Sequence, residues 1–178
     1  GTSLSKVWGV IERFSEDIDL AVDRSLFGFE GDLTTKQIKK LRKASSLFVS
    51  NEFISELQSA INRYDLDKFI ELEVQPDGEG DKTYPEPRQI FIKYQSLFET
   101  ELSYVKPQII LEIGARSLFE PTQKSSINSI VATEFPNVQT SVISADVTTA
   151  VAAKTFLEKA FLLHELFTTN GCSKAERK

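Results

Sequence analysis

Apolar residues near the start of the chain fall at Leu4, Val7, Trp8 and Ile11, the i, i+3, i+4, i+7 spacing of one helix face. This predicts a helix that opens at Gly1–Ser3 and runs through "LSKVWGVIERF". The period then changes. In "DIDLAV", Ile18, Leu20 and Val22 alternate with Asp17 and Asp19, as on a strand with one face toward a core. "DRSLFGFEGDLT" holds two glycines and reads as a loop, after which Thr34 or Thr35 can cap a helix through "KQIKKLRK", residues 36–43. Phe53, Ile54, Leu57 and Ile61 mark a further helix over 50–64. "DKFIELEV" and "RQIFIKYQSL" are strand-like, and "QPDGEGDKTYPEP" between them is turn chemistry, so a hairpin with a long acidic tip is expected. "KPQIILEIGARS" is a third strand, suitably opened by Pro107. "SADVTTAVAAKTFLEKAFLLHELF" is expected to be an amphipathic helix capped by Asp146, with Phe156, Ala160, Leu163 and Phe167 on one stripe. Helix, strand, two helices and three strands predict an α+β or α/β core with a C-terminal helical extension.

Bulk properties narrow the function classes only modestly. A chain of 178 residues that is 40% hydrophobic can bury one sizeable core, or one core and a small helical subdomain. Cys172 is the only cysteine, which excludes an internal disulfide framework and fits a reducing compartment. No apolar run approaches the ~20 residues of a membrane span, and no signal-peptide pattern is present, so a cytoplasmic protein without a membrane role is expected. The net charge of −5 argues against a chain-wide grip on nucleic acid. It leaves room for a local one at "KQIKKLRK", where five of eight residues are Lys or Arg and where an RNA-backbone patch and a solvated helix face are both consistent readings. With one histidine and one cysteine there is no zinc site or Cys-His pair to propose, and His164 reads as a packing or surface residue.

The acidic pair carries the chemistry. Asp17 and Asp19 point to the same side of their strand, about 6 to 7 Å apart along a pleated chain, and repel each other unless a positive charge lies between them. A hard divalent cation such as Mg²⁺ is the usual solution, and it takes one or two protein carboxylates together with substrate phosphates. At the predicted N-terminus of the first helix, the first-turn backbone N–H groups and the helix dipole at Gly1, Thr2 and Ser3 favour an anion, and Thr2 or Ser3 can cap.

A Gly-Thr-Ser helix start followed about a dozen residues later by an acidic-x-acidic strand is similar to the nucleotidyltransferase superfamily of the DNA polymerase β type. More narrowly, "GTSLSK" followed by "RFSEDIDLAV" resembles the AbiE/AbiG abortive-infection toxin family, the AbiEii-like nucleotidyltransferases. The resemblance covers the first 22 residues, extends to about residue 116 and returns at "KTFLEKAFLLHE", 154–165. It implies a nucleotidyltransferase-like mixed sheet flanked by helices, with residues 1–118 as the catalytic core lacking its N-terminal edge. Residues 119–178 are then a linker and helical extension that is incomplete at the C-terminus. The chain opens on Gly1 without the second glycine of the usual pair and ends in "SKAERK" before an Arg- and Asp-rich helical segment, so a portion of a longer protein is expected.

The same resemblance calls for a third acidic residue on an adjacent strand. Glu71 and Glu73 lie in "FIELEV", where alternation alone accounts for them. Glu112 lies in the nearly continuous apolar run "IILEIGAR", where a lone carboxylate is costly unless it is ionised against a partner, and it is the favoured candidate. The family then implies one or two Mg²⁺ ions held by Asp17, Asp19 and Glu112, and a nucleoside triphosphate contacted by Gly1, Thr2, Ser3 and Lys6. Lys159, in its "EK" context, resembles a phosphate contact, and an ordinary surface charge is the other reading. An acceptor hydroxyl attacks the α-phosphate, a nucleoside monophosphate is transferred and pyrophosphate leaves. Candidate partners are a tRNA 3′ end or another RNA, and a cognate antitoxin. The alternative is a noncatalytic nucleotide-, RNA- or antitoxin-binding module on the same fold.

Overall fold

The computed structural model describes residues 1–12, 15, 17–80, 83–96, 106–116, 121–137 and 144–175. In chain order the elements are α1 (Thr2–Lys6), β1 (Asp17–Ala21), α2 (Thr35–Phe48), α3 (Ile54–Arg63), β2 (Ile70–Val74), β3 (Arg88–Tyr94), β4 (Gln108–Gly114), β5 (Thr122–Asn128), α4 (Ile130–Glu134), β6 (Ser144–Ala150) and α5 (Ala152–Ala175). They form two compact units, one of Ser15–Phe119 and one of Gly1–Phe14 with Glu120–Lys178. The expected mixed α+β architecture is present.

In the unit Ser15–Phe119 a four-stranded mixed sheet has the order β1-β4-β3-β2. The hairpin β2–β3 and the pair β3–β4 are antiparallel, while β1 lies parallel to β4 at the edge. Of the acidic tip expected between β2 and β3, residues 81 and 82 lie outside the described residues. Alternation divides the sheet into two unlike faces. One carries Ile18, Leu72, Val74, Ile90, Ile92, Leu111 and Ile113, and it is covered by α2 and α3. There Val49, Ile90, Leu111 and Ile113 are buried, with Phe48, Phe53, Ile54 and Leu57 packed on them.

Thr34 is the cap of α2. Its hydroxyl accepts from the Gln37 N–H while Gln37 Oε1 accepts from the Thr34 N–H at 2.9 Å, a capping box that settles the choice between Thr34 and Thr35. Instead of two separate helices, a π turn over Val49–Phe53 links α2 to α3. The Ser50 hydroxyl donates back to the Ser46 carbonyl at 2.8 Å, a side-chain bond that bends helices at such points. The extra residue of the π turn rotates the helix beyond it, so that Ile54 and Leu57 reach the same cluster as Phe48.

The other unit departs from the expected pattern in two places. The first helix ends at Lys6 instead of running on through "LSKVWGVIERF", because Gly9 adopts φ +58° and the Val10 N–H turns back to the Leu4 carbonyl at 2.9 Å. Trp8 leaves the predicted apolar stripe and its indole N–H donates to the Ala150 carbonyl at 3.1 Å. Residues 144–150, expected to begin a helix at Asp146, form β6 instead, paired antiparallel with β5 in a two-stranded sheet. Val147, Thr148 and Thr149 are β-branched and suit a strand, and α5 starts only at Ala152. On α5 the predicted stripe is exposed: Phe156 is 67% and Phe167 76% accessible. Cys172 falls in the part of α5 whose side chains lie outside the described residues. Among the described residues no helix is long and apolar enough to cross a membrane.

Candidate active site

Because β1 and β4 are parallel with Asp19 opposite Glu112, these two side chains leave the same face of the sheet, the one turned away from the core. Asp17, two residues before Asp19, shares that face and stands opposite Ile110. On the other side of Glu112, β3 places Gln89 in register. A row Asp19, Glu112, Gln89 therefore crosses three neighbouring strands. Asp17 and Asp19 are exposed and Glu112 is half-buried. Gln89 Nε2 donates to Glu112 Oε1 at 2.6 Å.

The other two carboxylates considered for the third position stand elsewhere on the same face. Glu71 and Glu73 lie on β2, beyond β3 and at the opposite edge from β1. Glu73 is ion-paired with Lys93, and that hydrogen bond is the first reason the Lys93 ammonium titrates above its ordinary range. The register thus sets Glu112, and neither residue of β2, beside the aspartates.

Hard oxygen donors at Asp17, Asp19 and Glu112 suit Mg²⁺ in kind, and adjacent parallel strands put them on common ground. Among the described residues, however, no three His, Cys, Asp or Glu side chains are drawn together closely enough to hold a metal ion. The three carboxylates share a face without being closed into a cage.

The remaining expected contacts belong to the other unit. Gly1 is the N-cap of α1 and makes no side-chain cap bond, so neither Thr2 nor Ser3 caps as expected. Their backbone serves the helix itself, with the Ser3 carbonyl accepting from Val7 N–H at 3.0 Å and from Trp8 N–H at 3.1 Å. Lys6 ends this short helix and is exposed, as is Lys159 on α5. His164 is also exposed on α5.

Sequence reasoning missed the supports of β4. Glu86 Oε1 accepts from the Ala115 N–H at 2.5 Å, immediately past the strand that carries Glu112. Gly114 allows this approach, since a Cβ there would lie 2.8 Å from the same oxygen. Beside it, Arg88 is buried and donates to Ser46 Oγ at 2.8 Å, Asp77 Oδ1 at 2.7 Å and the Gln75 carbonyl at 2.7 Å, so it ties β3 to α2 and to the segment after β2. Two prolines around Glu86 with Arg88 directly after, "PEPR", are the only hint of either group.

Burial pushes the Glu86 carboxyl above the usual carboxylate range, opposed chiefly by its hydrogen bond from Ala115. A raised folded-state pKa contributes stability that is complete below the unfolded glutamate range and is lost as pH rises through the folded value. Glu86→Gln removes that dependence and keeps an acceptor oxygen. Its melting temperature relative to wild type is therefore expected to rise as pH goes from about 4 to 7. A difference that is flat across this range in paired thermal melts would show that the carboxyl pays no desolvation penalty.

The sheet thus has one face in the core, covered by α2 and α3, and acidic side chains in register on the other. The chain belongs to the AbiEii toxin family, described as nucleotidyl transferase toxins of type IV toxin–antitoxin systems, which it matches over residues 1–174. No curated protein and no solved structure gives a match.

Proposed function

We propose that this protein is a Mg²⁺-dependent toxin enzyme that transfers a nucleoside monophosphate from a nucleoside triphosphate to the 3′ hydroxyl of an RNA, with tRNA as the first candidate. It works in the cytoplasm and is restrained by a cognate antitoxin. The observation that carries this reading is the register of Asp19 with Glu112 on the solvent face of the sheet, with Asp17 beside them. Asp17, Asp19 and Glu112 would hold one or two Mg²⁺ ions, which when bound neutralise phosphate charge during the displacement. Gln89 fixes the orientation of Glu112, which takes up the proton of the attacking hydroxyl or completes the ion's ligands. Gly1, Thr2, Ser3, Lys6 and Lys159 are assigned to the phosphates by the family resemblance.

The test is incubation of the full-length protein with each α-labelled triphosphate, Mg²⁺ and total tRNA. Label is expected to pass to RNA from one triphosphate in preference to the others, with release of pyrophosphate. Glu112→Gln should lower the rate roughly 10²–10⁴-fold. No transfer from any triphosphate, with RNA or nucleotide still bound, would instead assign the fold to a binding module.

A further inference from the structure

The α2 helix, "TKQIKKLRKASSLF", contains five cationic residues and no carboxylate, in a chain whose net charge is −5. Lys36, Lys39, Lys40 and Lys43 recur at i, i+3, i+4 and i+7 and are all exposed, so they form one stripe. The stripe lies across the helix from Leu41, Ser45 and Phe48, the side that packs toward the sheet. Such a face is not what solvation alone produces. A solvated helix face mixes signs, and its first turn favours acidic residues, which complement the helix dipole. Here the first turn holds no acid and holds Lys36, and the pairs Lys36–Lys40 and Lys39–Lys43 set like charges one turn apart. Each of these choices works against the helix.

The chemistry of the stripe points to phosphate. Lysines are depleted from the cores of protein interfaces, and no aromatic or aliphatic side chain interrupts this row between Lys36 and Lys43. Mobile ammonium groups on long stems match a flexible backbone of phosphates read by charge alone. Lys43 also lies over the Tyr84 ring, 5.4 Å from its centroid, with Arg42 on the adjoining flank of the helix.

Position sets the size of the ligand. α2 covers the apolar face of the sheet, whereas Asp17, Asp19 and Glu112 occupy the opposite face. A ligand that touches both must pass around a helix layer and a sheet layer, each on the order of 10 Å thick. A mononucleotide or a short oligomer cannot do so. We infer that the lysine stripe of α2 grips the phosphate backbone of a folded RNA, the body of the acceptor whose end reaches the polar face. This rests on the reading of the acceptor as RNA under the proposed function.

The experiment compares wild-type protein with Lys36→Gln/Lys40→Gln and with Lys68→Gln/Lys106→Gln, a pair of exposed lysines away from α2 that removes the same charge. Binding of fluorescent tRNA and of a five-nucleotide RNA is followed by anisotropy between about 50 and 300 mM NaCl. The α2 variant should bind tRNA about tenfold more weakly at 100 mM salt, with a slope of log K against log salt shallower by about 1.5. The pentanucleotide should bind all three proteins alike, and the control pair should match wild type on tRNA. Thermal melts of the α2 variant should equal or exceed wild type, since glutamine favours helix and one cation leaves the first turn. Equal tRNA affinity and slope in wild type and the α2 variant would overturn the inference, as would equal losses in both variants. Polyglutamate displaced by the α2 change while tRNA is unaffected would assign the stripe to an acidic protein and overturn it too. Unchanged tRNA binding with intact transfer removes the stripe alone; stripe-dependent binding with no transfer removes the transferase reading alone.

Discussion

Asp19→Asn is expected to melt within about 2 °C of wild type without metal, or slightly above it, while losing all response to Mg²⁺ with triphosphate. Asp17 and Asp19 are exposed on the same side of an edge strand, so the substitution uncovers no core. Wild type at ligand near 100 times its dissociation constant gains about 2.7 kcal/mol. That corresponds to roughly 5–10 °C for a chain of this length. Transfer by the variant should fall at least about 10³-fold, since groups aimed at developing charge are among the largest catalytic terms. An aspartate kept for structure behaves in the opposite way, because its amide leaves backbone donors poorly satisfied whatever the metal concentration. An Asn variant that melts several degrees low without metal and still gains from it would remove Asp19 from the site.

Ile113→Ala should lower stability by about 2–5 kcal/mol, the range for truncating a fully buried aliphatic side chain. Ile113 is 0% exposed and belongs to the buried cluster with Val49, Ile90 and Leu111. Ile109 is on the same strand and face but 37% exposed, so Ile109→Ala should cost less than about 1 kcal/mol. Urea melts of both variants decide this. Equal losses would mean that the core does not centre on the Ile113 end of β4. Below its own transition, Ile113→Ala should still respond to Mg²⁺ and triphosphate, because its side chain faces away from Glu112.

Much of the architecture is legible because it is written in alternation. Ile18 and Leu20 against Asp17 and Asp19, and Ile109, Leu111 and Ile113 around Glu112, give strands and tell which face is which. The Thr34-Thr35 pair before the basic run gives a helix start, and the choice between the two comes from the capping box that Thr34 makes with Gln37. Where local signals conflict, reading fails. Leu4, Val7, Trp8 and Ile11 keep helical period across Gly9, whose positive φ ends the helix at once. Residues 144–151 read as part of the helix after them, although their β-branched run favours a strand. The sequence of β5, "TQKSSIN", has too few apolar positions to show any period. Register is another matter. That Glu112 stands beside Asp19 while Glu73 stands at the far edge depends on a parallel pairing between distant segments, which no local pattern encodes. Gln89 has no signature at all, since a neutral amide gains meaning only from the strand next to it.

The parallel pairing of β1 with β4 also governs when the acidic face comes into being. Strands β2, β3 and β4 follow one another and can zip up in turn, each closing a modest loop. Among the described residues β1 has no other neighbour in its sheet, and it is made long before β4. Closing that long loop carries the largest entropic penalty in the sheet, and long-range pairings of this sort form late. A chain released only as far as β3 carries both aspartates but not yet Glu112. The row of Asp19, Glu112 and Gln89 therefore cannot assemble until residues through Gly114 have emerged.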